Sequence, residues 1–182
     1  MKIVEINSTP YGSAGKITRE ICKIVESNGD EAFLFTKKWR NSSIKMNNHF
    51  YIGNFIENLF ARIFCPIFGI EGKFSYFSTK RLITKLKKIN PDIIHLHNIH
   101  GWYLNFDLLF DYIKKSKCNI IWTLHDCWSF TGHCPNFETI KCEKWILGCF
   151  DCKQLGNYPA MKIDNTNKMW NKKENGLLVL VN

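Results

Sequence analysis

His125 and Asp126 close an apolar, β-branched run, Ile120-Ile121-Trp122-Thr123-Leu124. A histidine titrates near neutral pH and an aspartate accepts hydrogen bonds, so the pair can orient a hydroxyl group or stabilise developing charge. Asp126 can equally serve as a turn or helix cap. A second group, His95, His97, Asn98 and His100, falls within the run Ile93 to Gly101. In a strand, residues two apart point the same way, so His95 and His97 share one face. Each of these histidines, taken alone, also fits a satisfied structural role. A third stretch, Gly12-Ser13-Ala14-Gly15, precedes a helical pattern. Its glycines allow backbone N–H groups to approach a ligand, and a helix start favours a phosphate. It is neither a G-x-G-x-x-G nor a P-loop, and a plain turn explains it as well.

Five of the chain's eight cysteines lie between Cys127 and Cys152. Cys134, Cys142, Cys149 and Cys152 are spaced C-x7-C-x6-C-x2-C. Four thiolates can close a tetrahedral structural zinc site and so stabilise a long loop without a core of its own. Cys127 or His133 can substitute for one ligand. Only one C-x2-C is present, so buried free thiols and disulfides remain the alternatives. Cys22, Cys65 and Cys118 read as small hydrophobes.

The elements that would position these residues alternate. Lys2–Asn7 reads as a buried strand, about Lys16–Ser27 as a helix and Ala32–Thr36 as a second strand. The stretch 37–48 is polar and basic and reads as an exposed loop, and 50–53 as a short strand. From Phe55 to Phe68 apolar residues recur as a double stripe that Pro66 should kink or end. That helix is expected either to pack in the core or to lie on a membrane surface, near the basic Lys80, Arg81, Lys85, Lys87 and Lys88. Ser78 is expected to cap a helix to about Ile89. Ile93–His97 reads as a strand, roughly Asn105–Ser116 as a helix, and Ile120 opens the next strand. Residues 162–175 read as irregular, and Leu177–Val181 as a last strand. The alternation predicts an α/β fold, a Rossmann-like doubly wound parallel sheet with a Cys-rich loop insertion.

At 182 residues, 45% hydrophobic and 14% aromatic, the chain is long and apolar enough for one globular domain. Its net charge of +9 suits anionic partners or is simply a solvated basic surface. No nucleic-acid-binding signature is present. No signal peptide precedes the first strand, and charges interrupt the most apolar window, 55–77, so a cytoplasmic location is expected. There, clustered cysteines point to metal more than to disulfides.

Taken together, PDIIHLHNIHGWYLN (Pro91 to Asn105), WTLHDCWSFTGHC (Trp122 to Cys134), CEKWILGCFDC (Cys142 to Cys152) and GSAGKI (Gly12 to Ile17) resemble the N-terminal half of family 4 glycosyltransferases, closest to the bacterial colanic-acid and capsular polysaccharide group. The resemblance covers roughly residues 1–165. It implies a GT-B architecture whose N-terminal domain takes mainly the acceptor. It further implies transfer from a nucleotide-sugar donor with retention of configuration and without a catalytic metal. By the same analogy Gly12, Ser13 and Gly15 approach the donor diphosphate. His97, Asn98, His100, His125 and Asp126 line the acceptor side, with His125 nearest the reacting centre. The expected partners are a sugar or lipid-linked sugar acceptor, the inner face of the cell membrane, and a donor-binding second domain. The latter is missing here, which reads as a truncated or split enzyme with an irregular tail over 166–182. Two departures stand out. Lys153 follows Cys152 where relatives carry proline, and the paired glutamates of the donor domain are absent. A non-catalytic, zinc-stabilised binding or interaction domain is the alternative function.

Overall fold

Among the described residues, five short strands pair in parallel, in the spatial order β3-β2-β1-β4-β5. They are β1 (Lys2–Asn7), β2 (Glu31–Lys37), β3 (His49–Ile52), β4 (Ile93–Leu96) and β5 (Asn119–Trp122). The helices are α1 (Gly12–Ser27), α2 (Phe55–Phe68), α3 (Tyr76–Ile89), α4 (Phe106–Lys115) and α5 (Thr166–Val181). This is a computed structural model that describes residues 1–38 and 44–181, with side chains described to residue 176. Residues 39–43 of the expected basic loop lie outside the described residues.

The pleat decides which helices cover which face. Val4 and Ile6 of β1 and Ile94 and Leu96 of β4 pack with Leu82 and Leu86 of α3, with Phe106 and Leu109 of α4, and with Met169 of α5. Their neighbours on the opposite face belong to a smaller cluster, where Ala32 and Leu34 meet Cys22 and Val25 of α1. Helices therefore flank both faces, as the alternating pattern predicts. The strand order reverses at β1, between β2 and β4. In such sheets this switch point opens a crevice beyond the carboxyl ends of the strands.

Four expectations need correction. α1 begins at Gly12, not near Lys16, because Gly15 packs directly on the preceding loop: a Cβ there would sit 2.4 Å from the Pro10 carbonyl carbon. Ser78 lies inside α3 instead of capping it, and its backbone N–H donates to the Glu57 carboxylate of α2. Residues 166–181, read as an irregular tail ending in a strand, form one helix. A short apolar run such as Leu177–Val181 cannot be told from a helix turn by periodicity. Met169 of this helix is 1% exposed in the main core, so the helix packs on the same domain.

The fourth concerns the first of the two alternatives for α2, packing in the core. Its stripe does not enter the core: only Ala61 and Cys65 are buried, while Phe55 is 69%, Ile56 65% and Phe60 53% exposed. The helix is tethered by its ends instead. The Asn54 side chain accepts from the Glu57 N–H, and Glu57 in turn accepts from the Phe77 and Ser78 N–H groups at the start of α3. A carboxylate at a helix N-terminus is stabilising. Pro66 sits in the last turn, and α2 ends two residues later with Gly69 in the left-handed region (φ 59°). Among the described residues, no helix is long and apolar enough to cross a membrane.

Candidate active site

Glu5 sits in the middle of β1 among buried apolar residues and is itself fully buried. The register β1–β4 places it opposite His95, and β4–β5 places His95 opposite Ile121. Its carboxylate meets two imidazoles: Oε1 lies 3.1 Å from His95 Nδ1, and Oε2 lies 2.6 Å from His97 Nε2. The other nitrogen of His95 is 2.7 Å from the Thr123 hydroxyl, and His97 Nδ1 is 2.8 Å from His125 Nε2. A continuous chain thus runs Thr123–His95–Glu5–His97–His125 across three strands.

One proton assignment satisfies every link. Glu5 is ionised and accepts from His95 Nδ1–H and His97 Nε2–H, Thr123 donates to His95 Nε2, and His125 Nε2–H donates to His97 Nδ1. Burial pushes the Glu5 carboxyl up, but the hydrogen bonds from His95 and His97 more than offset it, and the net shift is downward. His125, half-buried, is pushed below the ordinary histidine value by burial and then by His97. It is therefore neutral near pH 7, with Nδ1 left free of this chain as an acceptor. If His125 takes a proton, the Glu5 charge lies two hydrogen bonds away to stabilise it.

Asp126 faces a different set. Its Oδ1 accepts from the Trp128 N–H at 2.9 Å and its Oδ2 lies 2.8 Å from His100 Nε2. Burial raises its pKa, the His100 bond lowers it, and the net shift is downward. The Tyr158 hydroxyl stands 3.4 Å from the other nitrogen of His100. Behind this pair, buried Glu71 accepts from the Gly101 N–H at 2.7 Å and from the Trp128 indole at 2.9 Å, joining the loops after β4 and β5. Lys173 of α5 is also buried and donates to the Trp128 and Thr131 carbonyls at 2.7 and 2.9 Å. Burial brings its ammonium down to about 7.

His97, Asn98, His100, His125 and Asp126 thus line one cleft at the carboxyl edge of the sheet. Gly12, Ser13 and Gly15 lie at the start of α1, beyond β1, and are not in its wall. Gly12 is exposed with φ 71°, which suits glycine. Gly15 is buried against Pro10, so close packing alone accounts for it. Cys134, Cys142, Cys149 and Cys152 share a separate pocket with His133, and all eight cysteines are free thiols. The sequence reading missed Glu5, Glu71 and Lys173. The one signal for Glu5 was a charge in the middle of a strand that otherwise reads as buried.

A Rossmann-like α/β domain with a histidine-rich cleft at its switch point is the class that this fold and site define. No family model matches the chain. It is 36% identical over 91 residues to WcaC of Escherichia coli (strain K12), a protein whose name gives it as a colanic acid biosynthesis glycosyl transferase. The match covers 47% of this chain and 22% of WcaC. Over that span the chain is related to a glycosyltransferase.

Proposed function

We propose that this chain is the acceptor-side domain of a nucleotide-sugar-dependent glycosyltransferase of polysaccharide assembly. The observation that carries the reading is His125, a lining residue of the cleft just beyond β5, held through Nε2 by the Glu5–His97 chain with Nδ1 outside that chain. Such an acceptor nitrogen orients a sugar hydroxyl of the substrate, and the buried carboxylate behind it steadies any positive charge that develops. The paired His100 and Asp126 line the same cleft, as does Asn98. The similarity to WcaC supports a sugar as the substrate class. Retention of configuration, transfer without a catalytic metal, and contact of Gly12, Ser13 and Gly15 with the donor diphosphate rest on the family resemblance. The nucleotide would be held by a second, donor-binding domain.

The exposed face of α2 favours one addition. Phe55, Ile56, Leu59, Phe60 and Ile63 are all more than two-fifths exposed, and Arg62, Lys73, Lys80 and Arg81 are exposed nearby. An apolar face beside basic residues suits an anionic lipid surface. The domain would then work at the cytoplasmic face of the cell membrane on a lipid-linked sugar acceptor.

The reading is tested by supplying the chain with a donor-binding domain and following sugar transfer from nucleotide-sugars to lipid-linked acceptors. Transfer that needs both parts supports it. If both parts are folded and associated and no nucleotide-sugar is turned over, the non-catalytic binding domain is the better description.

A further inference from the structure

Thirty-nine residues, Cys127 to Asn165, separate His125-Asp126 from the final helix, and their only regular structure is two three-residue 3-10 turns, Glu138–Ile140 and Lys144–Ile146. A stretch of this length without its own elements needs an internal anchor. Part of it is aromatic: the Phe130, Phe137 and Trp145 rings meet with centroids 5.1 to 6.2 Å apart. Another part is contact with α5, where Trp170 donates to the Trp145 carbonyl and Asn167 to that of Gly148. What remains inside is the wall formed by His133, Cys134, Cys142, Cys149 and Cys152.

Several features of that wall go beyond chance burial of thiols. His133, Cys134, Cys142, Cys149 and Cys152 line one small pocket together. The Gly132 N–H points at Cys149 Sγ, 3.1 Å away, a donor of the kind that stabilises a thiolate. Gly132 itself has no room for a side chain, because a Cβ would lie 2.7 Å from Cys149 Cβ and 2.3 Å from the Thr166 carbonyl oxygen. Around the C-x2-C the backbone turns sharply: Gly148, Cys149 and Asp151 all have positive φ, at 126°, 46° and 46°. Asp164 accepts from the Cys152 N–H at 2.8 Å and fixes the end of that turn. His133 is 1% exposed, yet neither ring nitrogen has a hydrogen-bond partner, an arrangement that is costly unless something else uses it. The buried ammonium of Lys173 stands on the same side and is felt by Cys134 and Cys149.

We propose that Cys134, Cys142, Cys149 and Cys152 hold one zinc ion in a tetrahedral structural site, with His133 donating an N–H to the Cys152 sulfur. Four thiolates on Zn²⁺ carry a formal charge of −2, which Lys173 partly offsets; hydrogen bonds from His133 and Gly132 spread the rest. Among the described residues, the group with three ligand atoms within 4.8 Å of one another is Glu5, His95 and His97, whose facing atoms are committed to hydrogen bonds. The cysteine sulfurs are spread wider, so binding draws them together toward a Zn–S distance of about 2.3 Å. The loop starts directly after Asp126, and the Cys127 N–H donates to the Pro135 carbonyl. Zinc here therefore holds the wall that carries Trp128 and Asp126.

The test is elemental analysis of the intact purified chain, followed by release of metal with a mercurial reagent and replacement by Co²⁺. The expected result is one equivalent of zinc, released as the thiols react, and a cobalt derivative with sulfur-to-metal charge-transfer bands and four-thiolate d–d bands. Cys142→Ser should abolish the four-thiolate spectrum, whereas His133→Gln should keep it while weakening zinc binding by about 10–100-fold. Folded protein with no zinc and no cobalt spectrum, or a mass showing a disulfide among these cysteines, overturns the site. A cobalt spectrum unchanged in Cys142→Ser overturns this ligand set.

Discussion

Glu5 occupies a position where its strand neighbours, Val4 and Ile6, are completely buried, and a carboxylate there is tolerable only because two imidazoles meet it. Removing one member of a buried charged network is costly. Glu5→Gln should destabilise the domain by about 3 kcal/mol, read from denaturant unfolding at pH 7. The acid limb of stability follows from the same groups. Glu5 and Asp126 have folded pKa values below their ordinary 4.5 and 3.8. Between the folded and unfolded values the unfolded chain binds more protons, so stability falls as pH drops through that window. His125 is shifted below 6.5 and acts in the same direction, starting earlier. From these groups stability should decline gently as pH drops below 6.5 and fall steeply below about 4.5, with a shallower last phase in Glu5→Gln. A parent curve that rises on acidification would contradict the proton assignment. The histidines and Asp126 were legible in the sequence because polar residues at the ends of apolar runs have few other reasons to be there. Glu5 was not, since its partners are set by strand pairing between residues 90 and more positions apart, which one sequence does not reveal.

At the scale of elements, periodicity identified nearly every strand and helix, but it left open what α2 meets and misread the end of the last helix. A stripe says which residues share a face but not what that face meets. α2 turns Phe55, Ile56 and Phe60 outward while only Ala61 and Cys65 go in. Replacing Ile56 and Phe60 together by Ser should leave stability within about 0.5 kcal/mol, as expected of exposed positions. The same double variant should lose binding to vesicles rich in phosphatidylglycerol, measured by co-sedimentation. Parent binding should weaken with salt, because Lys80 and Arg81 contribute through exposed charge. Equal sedimentation of parent and variant would remove the membrane reading of this face. For α5, helical continuity from Thr166 onward outweighed the β-like composition of its final turn. Its docking is fixed by Met169 and by Lys173, whose amine is bound to two carbonyls. Lys173→Met should thus loosen the wall around Trp128, seen as a lower melting temperature with faster hydrogen exchange at residues 128–131.

The whole molecule brings the carboxyl ends of β1, β4 and β5 to one edge, and there His97, Asn98, His100, His125 and Asp126 converge. That convergence was predictable once parallel alternation was recognised, because doubly wound sheets place their ligand crevice where the strand order reverses. The long cysteine loop was visible as a spacing pattern, but its enclosure of His133 and its reliance on α5 emerge only in three dimensions. The central claim is that His125 serves sugar transfer and not the fold. The most direct measurement compares parent and His125→Ala, each supplied with the same donor-binding domain, for transfer from nucleotide-sugar to a lipid-linked acceptor. Transfer should fall by at least about 100-fold, while the melting temperature stays close to that of the parent, because His125 is only half-buried and lies outside the hydrophobic core. A folded His125→Ala protein that transfers sugar at the parental rate would contradict it.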